Sequence, residues 1–251
     1  MIKAILVSLA LLLAGCATTT PYARVVVISE SYTTHPRGLT PLDTAASDAT
    51  HVHDALADLG SRISAHTPIP TLNEATLEEA KAFLFAEPRP TIALIYIAAH
   101  GFQENGHTFF RAANGDKLSA EEFMSSVMEH YPDEKKQGSI FLLDICREEQ
   151  NSPELRPDNA TLVRKSAVIL FASSANDVSN GGGSPFARAI AHELPRQQEL
   201  RESLRNIIEA VAKDTRAARK NMGRPPQNPW PYGLILFNVY LGERRTSGEA
   251  G

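Results

Sequence analysis

Two short apolar runs constrain the fold of this chain more than any other feature of its 251 residues. Residues 91–99 are almost continuously apolar and stop at His100, and residues 139–143 are similar and stop shortly before Cys146. Runs of this length, rich in Ile, Leu, Tyr and Phe, are typical of strands buried on both faces of a parallel sheet. In such a sheet, catalytic groups collect beyond the carboxyl ends of the strands. The two runs therefore predict a Cys-His nucleophile pair and a cysteine hydrolase.

The rest of the chain alternates the patterns of strands and helices. Strand patterns occur at residues 24–29 and, more weakly, 62–66, and helical spacing occurs at residues 42–59 and 74–86. Residues 108–116 predict a small hairpin or turn beside the site, and Ser119 followed by Glu122 predicts the start of another helix. Alternation of strand and helix predicts an α/β fold with a mainly parallel sheet and right-handed crossovers.

Composition and charge fit one globular domain and give no sign of a nucleic-acid partner. After the leader about 230 residues remain, enough for one large α/β domain. The chain is 43% hydrophobic and 22% charged, and its formal net charge is −4, so nothing basic suggests a nucleic-acid partner. His51 and His53 flank one residue of a predicted helix and cannot share a helical face, so we expect surface histidines and no metal site there.

The first sixteen residues resemble a bacterial lipoprotein signal. A lysine and an apolar stretch at residues 4–13 precede a lipobox that ends in Cys16. The stretch is too short to span a bilayer as a folded helix. We therefore expect residues 1–15 to be a signal peptide and residues 16–23 to be a lipidated cysteine and tether; an uncleaved anchor or a chance match is the alternative. Ala17 stands where a retention signal is usually Asp, which favours a Gram-negative outer membrane, facing the periplasm.

The cysteine count makes Cys146 informative. The chain has 2 cysteines, so if Cys16 carries lipid, Cys146 has no partner for a disulfide within the chain. A lone thiol in an exported protein is exposed to oxidation, and its presence is easier to understand if it reacts. The alternative is a buried, inert core cysteine.

The order of the motifs resembles the caspase-like cysteine peptidases, and among them the bacterial metacaspase and orthocaspase branch. His100-Gly101 follows one strand, and Asp144 lies two residues before Cys146 at the end of the next. Downstream, an S-P-F sequence and a Q-x-P-W sequence occur in the order found in bacterial members. The resemblance implies a caspase-like three-layer α/β/α sandwich with a mainly parallel central sheet.

The resemblance also implies the domain limits and a mechanism. It covers residues 24–241, the expected peptidase domain, and leaves residues 242–251 as a flexible tail. It implies that Cys146 is the nucleophile, that His100 holds its proton or delivers it to the leaving amine, and that the N–H groups of Gly101 and Cys146 form the oxyanion hole. No cofactor is expected, and calcium activation stays open.

Asp144 is the candidate specificity residue. In metacaspases the matching aspartate lines the primary specificity pocket, so the resemblance implies cleavage of peptide or protein substrates after Arg or Lys. An internal ion pair of Asp144 with Arg147, Arg111 or another basic residue is the alternative. Ser173 and Ser174 follow a predicted strand and either border the substrate cleft or are strand-end polar groups.

The site departs from the family pattern at two places. Metacaspases commonly have Ser-Gly before the histidine, where this chain has Ala98-Ala99, and Glu148 occupies the place of a common glycine after the nucleophile. Two other functions therefore stay open: an inactive caspase-like pseudo-peptidase that serves as a binding module, and an unrelated Cys-His acyl hydrolase. The second would share the pair of catalytic residues but not the downstream motif order.

Overall fold

A computed structural model of the protein describes residues 22–33, 39–59, 63–130, 138–146, 167–172, 183–196, 199–221, 227 and 229–232. The expected signal peptide, the lipidation site Cys16, the expected substrate-binding Ser173 and Ser174, Arg147, Glu148 and the C-terminal tail lie outside the described residues. Within the described part, no helix combines the length and the apolar character needed to cross a membrane.

A mixed sheet lies at the centre of the fold. Its strands are Ala23–Ser29 (β1), Ile63–Ala65 (β2), Ile92–Ala98 (β3), Gly138–Asp144 (β7), Ala167–Phe171 (β8) and Trp230–Tyr232 (β9). Their order across the sheet is β2-β1-β3-β7-β8-β9. The first five are parallel, and β9 is antiparallel to β8. The expected α/β fold with a mainly parallel sheet is confirmed.

Helices cover both faces of this sheet. In the described chain they are Ala45–Ala57 (α1), Glu74–Phe85 (α2), Ala120–Met128 (α3), Pro185–Glu193 (α4) and Leu200–Asn221 (α5). One hydrophobic core joins α1, α4 and α5 to one face of the sheet, and a second core joins α2 and α3 to the other face. The three-layer α/β/α sandwich is therefore also confirmed.

The two apolar runs that predicted the fold are β3 and β7, and both are buried along their whole length. Alternate residues of β3 enter opposite cores: Tyr96 lies in one and Ile97 in the other. Burial on both faces is the reason these strands are continuously apolar. In the register of the pair, Ala98 lies opposite Asp144. The two strands therefore end at the same level, beside each other.

A small antiparallel sheet follows β3 directly. It consists of Gly101–Glu104 (β4), His107–Arg111 (β5) and Lys117–Ser119 (β6). It is larger than the expected hairpin, because β4 adds a third strand. Asn105-Gly106 forms the two-residue turn between β4 and β5, with φ of 52° and 79°. Asn-Gly suits such a turn, since both positions need positive φ. Ser119 ends the sheet and caps α3, accepting a hydrogen bond from the Glu122 N–H at 3.2 Å, as expected.

Candidate active site

A cavity of about 360 Å³ lies at the carboxyl ends of β3 and β7. Three of the predicted site residues, His100, Asp144 and Cys146, line it. Most of the other lining residues come from the segment that leads into α1, from α1 itself and from the start of α4: Thr40, Pro41, Leu42, Asp43, Thr44, Ala45, Asp48 and Ser184. The fold therefore brings the candidate nucleophile, the candidate base and the candidate specificity residue to one cavity.

The imidazole of His100 is oriented by a backbone carbonyl. Its Nε2 lies 2.6 Å from the carbonyl oxygen of Thr40. A carbonyl can only accept a hydrogen bond, so Nε2 carries the proton in this contact. In a neutral imidazole the other nitrogen, Nδ1, is then unprotonated and able to accept a proton. The arrangement gives His100 the tautomer that a general base needs.

Gly101 lies against the chain segment that carries Cys146. A Cβ at this position would be 2.8 Å from the Ile145 Cβ and 2.9 Å from the Cys146 carbonyl oxygen. Real Cβ atoms essentially never approach so closely. A glycine is therefore required for the start of β4 to pack on the residues that follow β7.

Gly101→Ala is expected to lower the free energy of unfolding by about 1–3 kcal/mol, because overpacking forces the backbone apart. The sign of this change in the free energy of unfolding is informative, because φ of Gly101 is not in the left-handed region. At such a position, Gly→Ala ordinarily stabilises a protein by about 0.4–1 kcal/mol. Urea unfolding of both proteins measures the difference. A stabilised variant would show that the segment at Ile145 yields without cost.

Asp144 is a buried carboxyl that hydrogen-bonds to two hydroxyl groups. The side chain is 7% exposed, and the Tyr96 Oη donates to its Oδ2 at 3.0 Å. Burial raises the pKa of Asp144 to about 6; hydrogen bonds from Ser184 and Tyr96 oppose the shift, and the charge of Asp48 adds to it. The carboxyl is therefore poised to change its charge near neutral pH.

Of the ion pairs expected as the alternative for Asp144, the one with Arg111 is wrong, and Arg147 lies outside the described residues. The Arg111 guanidinium lies 4.2 Å from the centre of the Phe102 ring and donates to the Gly115 carbonyl at 3.3 Å. Among the described residues, no basic side chain forms an ion pair with Asp144. A cation that enters the cavity would be the charged partner that Asp144 lacks in this part of the chain.

Asp48 is a second buried carboxylate in the cavity, and it is not among the residues predicted from the sequence. It lies on α1, is 6% exposed, and accepts a hydrogen bond from the Ser184 N–H at 2.9 Å. A signal was present: Asp48 has the spacing of the helix face formed by Ala45, Val52 and Leu56, which predicts a charged side chain on a buried face. A buried charge of this kind is a candidate for function.

The downstream motifs have structural roles around the cavity. The Ser184 hydroxyl caps α4 by accepting from the Phe186 and Ala187 N–H groups, and the Phe186 side chain is buried in the core. Gln227, the first residue of the Q-x-P-W motif, donates from its amide to the Ala172 carbonyl at 2.7 Å, just beyond β8. S-P-F therefore places Ser184 beside both carboxylates, and Gln227 of Q-x-P-W binds the segment before β9 to the end of β8.

A sequence profile of the Caspase domain matches residues 23–239. The chain belongs to the caspase-domain family. Among solved structures, the crystal structure of caspase-1 from Spodoptera frugiperda is similar in fold. It shares 16% sequence identity, with a TM-score of 0.69, and the match covers 90% of this chain and 92% of that chain. A comparison with curated proteins finds no match.

The family is one of cysteine peptidases, which are hydrolases, and it implies peptide or protein substrates. In this caspase-domain chain, the site residues at the strand ends were predictable from the sequence, whereas the contacts of Thr40 and Tyr96 were not. The Thr40 carbonyl carries no side-chain signal, because any residue could supply it. Tyr96 was hidden inside an apolar run, where its hydroxyl does not stand out from the hydrophobic pattern.

Proposed function

We propose that this caspase-domain protein is a cysteine endopeptidase that cleaves after Arg or Lys and uses Cys146 and His100 as its catalytic pair. One observation supports the proposal above the others: His100, Cys146 and the two buried carboxylates Asp48 and Asp144 line the same cavity. A nucleophile, a base and a negatively charged pocket are the three parts that such a reaction needs.

The proposed chemistry follows from the contact between His100 and Thr40. With Nε2–H held by the carbonyl, Nδ1 takes the proton of the Cys146 thiol, and the thiolate attacks the scissile carbonyl carbon. Backbone N–H groups of Gly101 and Cys146 would stabilise the oxyanion. The imidazolium then protonates the leaving amine, and water hydrolyses the thioester, which returns the thiol. The reaction requires no cofactor.

The proposed specificity follows from charge. Two buried carboxylates close to one another resist simultaneous ionisation, which is part of the reason that the pKa of Asp144 is raised. A guanidinium or ammonium group would relieve this repulsion and lower that pKa again. A cationic side chain before the scissile bond therefore gains more from this cavity than a neutral or acidic one.

We also propose that residues 1–15 are removed and that Cys16 carries the lipid that anchors the protein to the bacterial envelope, on the periplasmic side of the outer membrane. The support for this part is the leader sequence, with its short apolar stretch and the lipobox ending in Cys16.

The proposed activity is tested with the full chain purified in detergent under reducing conditions. Fluorogenic peptides ending in Arg, Lys or Asp are incubated with the protein and with Cys146→Ala, with and without calcium. We expect turnover of the Arg and Lys peptides by the unsubstituted protein and none by the variant. A preference for Asp would contradict the specificity. If there is no turnover and no labelling of Cys146 by a peptide electrophile, the pseudo-peptidase alternative replaces the proposal.

A further inference from the structure

We infer that Tyr32 is a positioning residue that holds His100 in its working orientation. The inference rests on the proposed function, because it concerns the histidine of the proposed catalytic pair. Tyr32 lies in the segment after β1 and does not line the cavity, so it would act only through His100.

Three contacts join Tyr32 to His100 and its surroundings. The Tyr32 Oη accepts a hydrogen bond from the His100 backbone N–H at 3.1 Å and donates one to the Arg111 carbonyl at 2.5 Å. The tyrosine and histidine rings lie against each other, with centroids 4.6 Å apart and planes at 38°. The Arg111 N–H also donates to the His100 carbonyl at 2.8 Å. One phenol thus fixes both the backbone and the ring face of His100.

The backbone of Tyr32 is held in a conformation that an aromatic residue rarely adopts. Its φ is 52°, in the left-handed region, and the side chain is 1% exposed. A bulky residue in this region is strained, and the conformation persists only where contacts with the surrounding structure hold it. Strain of this kind clusters at functional sites. Placing the phenol under His100 is a reason for this protein to retain it.

A buried carboxylate stabilises this strained turn. Glu30 is 6% exposed; its Oε1 accepts from the Tyr32 N–H at 2.9 Å and its Oε2 from the Leu72 N–H at 3.1 Å. Glu30 therefore ties the segment after β1 to the loop before α2. Burial also raises the pKa of Tyr32 well above its usual range, so the phenol stays protonated and able to donate.

The segment after β1 also supplies the Thr40 carbonyl, which is the second group in contact with the His100 imidazole. The Leu42 N–H donates to the Ser31 carbonyl at 2.9 Å, so the loop that carries Thr40 is fastened beside Tyr32. The Thr40 carbonyl holds the edge of the His100 ring, and Tyr32 holds its face. Together they restrict the ring in both directions, which aligns its free nitrogen with a partner in the cavity.

Tyr32→Phe tests the inference, because it keeps the ring contact and removes both hydrogen bonds of the hydroxyl. Thr215→Val is the matched control: the Thr215 hydroxyl is also buried, donates to the Val211 carbonyl at 2.8 Å and accepts from the Gln227 N–H at 2.9 Å, and it does not line the cavity. Urea unfolding of both full-length variants shows whether they lose similar stability.

Two measurements distinguish a role of Tyr32 in positioning His100 from a general loss of stability. With the peptide that the protein cleaves best, Tyr32→Phe should lower kcat about 10- to 100-fold with little change in KM, because a small misplacement of a catalytic group slows chemistry more than binding. The second readout is the pH dependence of alkylation of Cys146 by iodoacetamide. Loss of a well-placed imidazole should move the midpoint upward, toward about 8.5 for a free thiol.

The outcomes distinguish the inference from the proposed function. If His100→Ala shifts the alkylation midpoint and Tyr32→Phe shifts it partway, with Thr215→Val unchanged, the inference holds, even where none of the peptides is cleaved. If His100→Ala shifts the midpoint but Tyr32→Phe behaves like Thr215→Val in both readouts, only the inference is overturned. If His100→Ala leaves the midpoint unchanged, the catalytic pair and the inference are overturned together.

Discussion

Replacing His100 with alanine is expected to lower kcat for peptide hydrolysis by about 10²–10⁴-fold, the range that general acid-base catalysis contributes. The imidazole has two tasks in the proposed reaction: it takes the thiol proton of Cys146 and it protonates the leaving amine. The Thr40 carbonyl at 2.6 Å fixes the tautomer that performs the first task. Steady-state kinetics with an Arg peptide measure the effect, with little change expected in KM.

His51→Ala is the control for this experiment. His51 is an exposed residue of α1 and does not line the cavity, so its replacement should leave kcat within about two-fold, as is usual for surface positions. A kcat for His100→Ala within ten-fold of the unsubstituted protein would show that a group other than this imidazole takes the thiol proton.

The position of the site was predictable because it depends on hydrophobic pattern. Burial of β3 and β7 on both faces makes each run continuously apolar, so the point where each run stops marks the end of a strand. The register that sets Ala98 opposite Asp144 then places the two candidate catalytic residues at one edge. The sequence and the geometry of parallel sheets are enough to place both residues at that edge, whereas the pairing of β3 with β7 in this register is seen only in the structure.

The contacts that other parts of the chain make around His100 were not predictable to the same degree. The contact of Thr40 uses a backbone carbonyl, and the conformation of Tyr32 depends on Glu30 and on segments far away in sequence. These contacts exist only once the sheet has assembled. Asp48 is different, because a carboxylate on the buried face of a predicted helix was visible in the sequence and was overlooked.

Asp144→Asn is expected to lower kcat/KM for an Arg peptide by about 10²-fold or more, since it leaves a cation in the cavity without its closest proposed charge partner. The substitution keeps the size of the side chain and an oxygen that accepts from the Tyr96 hydroxyl. A peptide with citrulline, a neutral group of the same shape, in place of Arg isolates the charge. Its kcat/KM should change by less than a few-fold. Equal losses for both peptides would show that Asp144 supports the fold of the pocket and does not recognise charge.

Asp54→Asn is the control, because Asp54 lies on the same helix as Asp48 but its side chain is 65% exposed. It should leave the ratio of Arg to citrulline turnover unchanged.

The stability of Asp144→Asn relative to the unsubstituted protein is a second test of the role of Asp144. The pKa of Asp144 is raised from 3.8 to about 6 by folding, so its ionisation costs stability as pH rises through that range. Asn cannot ionise, and the variant should be at least as stable as the unsubstituted protein at pH 7.

The pH profile gives the sharpest form of this prediction. Below a pH of about 6 the Asp144 carboxyl is protonated and neutral, and above it the carboxylate is charged. Because only the charged form attracts a cation, KM for the Arg peptide should fall as pH rises from 5 to 7, while KM for the citrulline peptide stays level. Bound Arg favours the carboxylate, so the midpoint in the complex should lie lower than in the free protein. In Asp144→Asn this pH dependence of KM should disappear, and its persistence would assign the titration to a group other than Asp144.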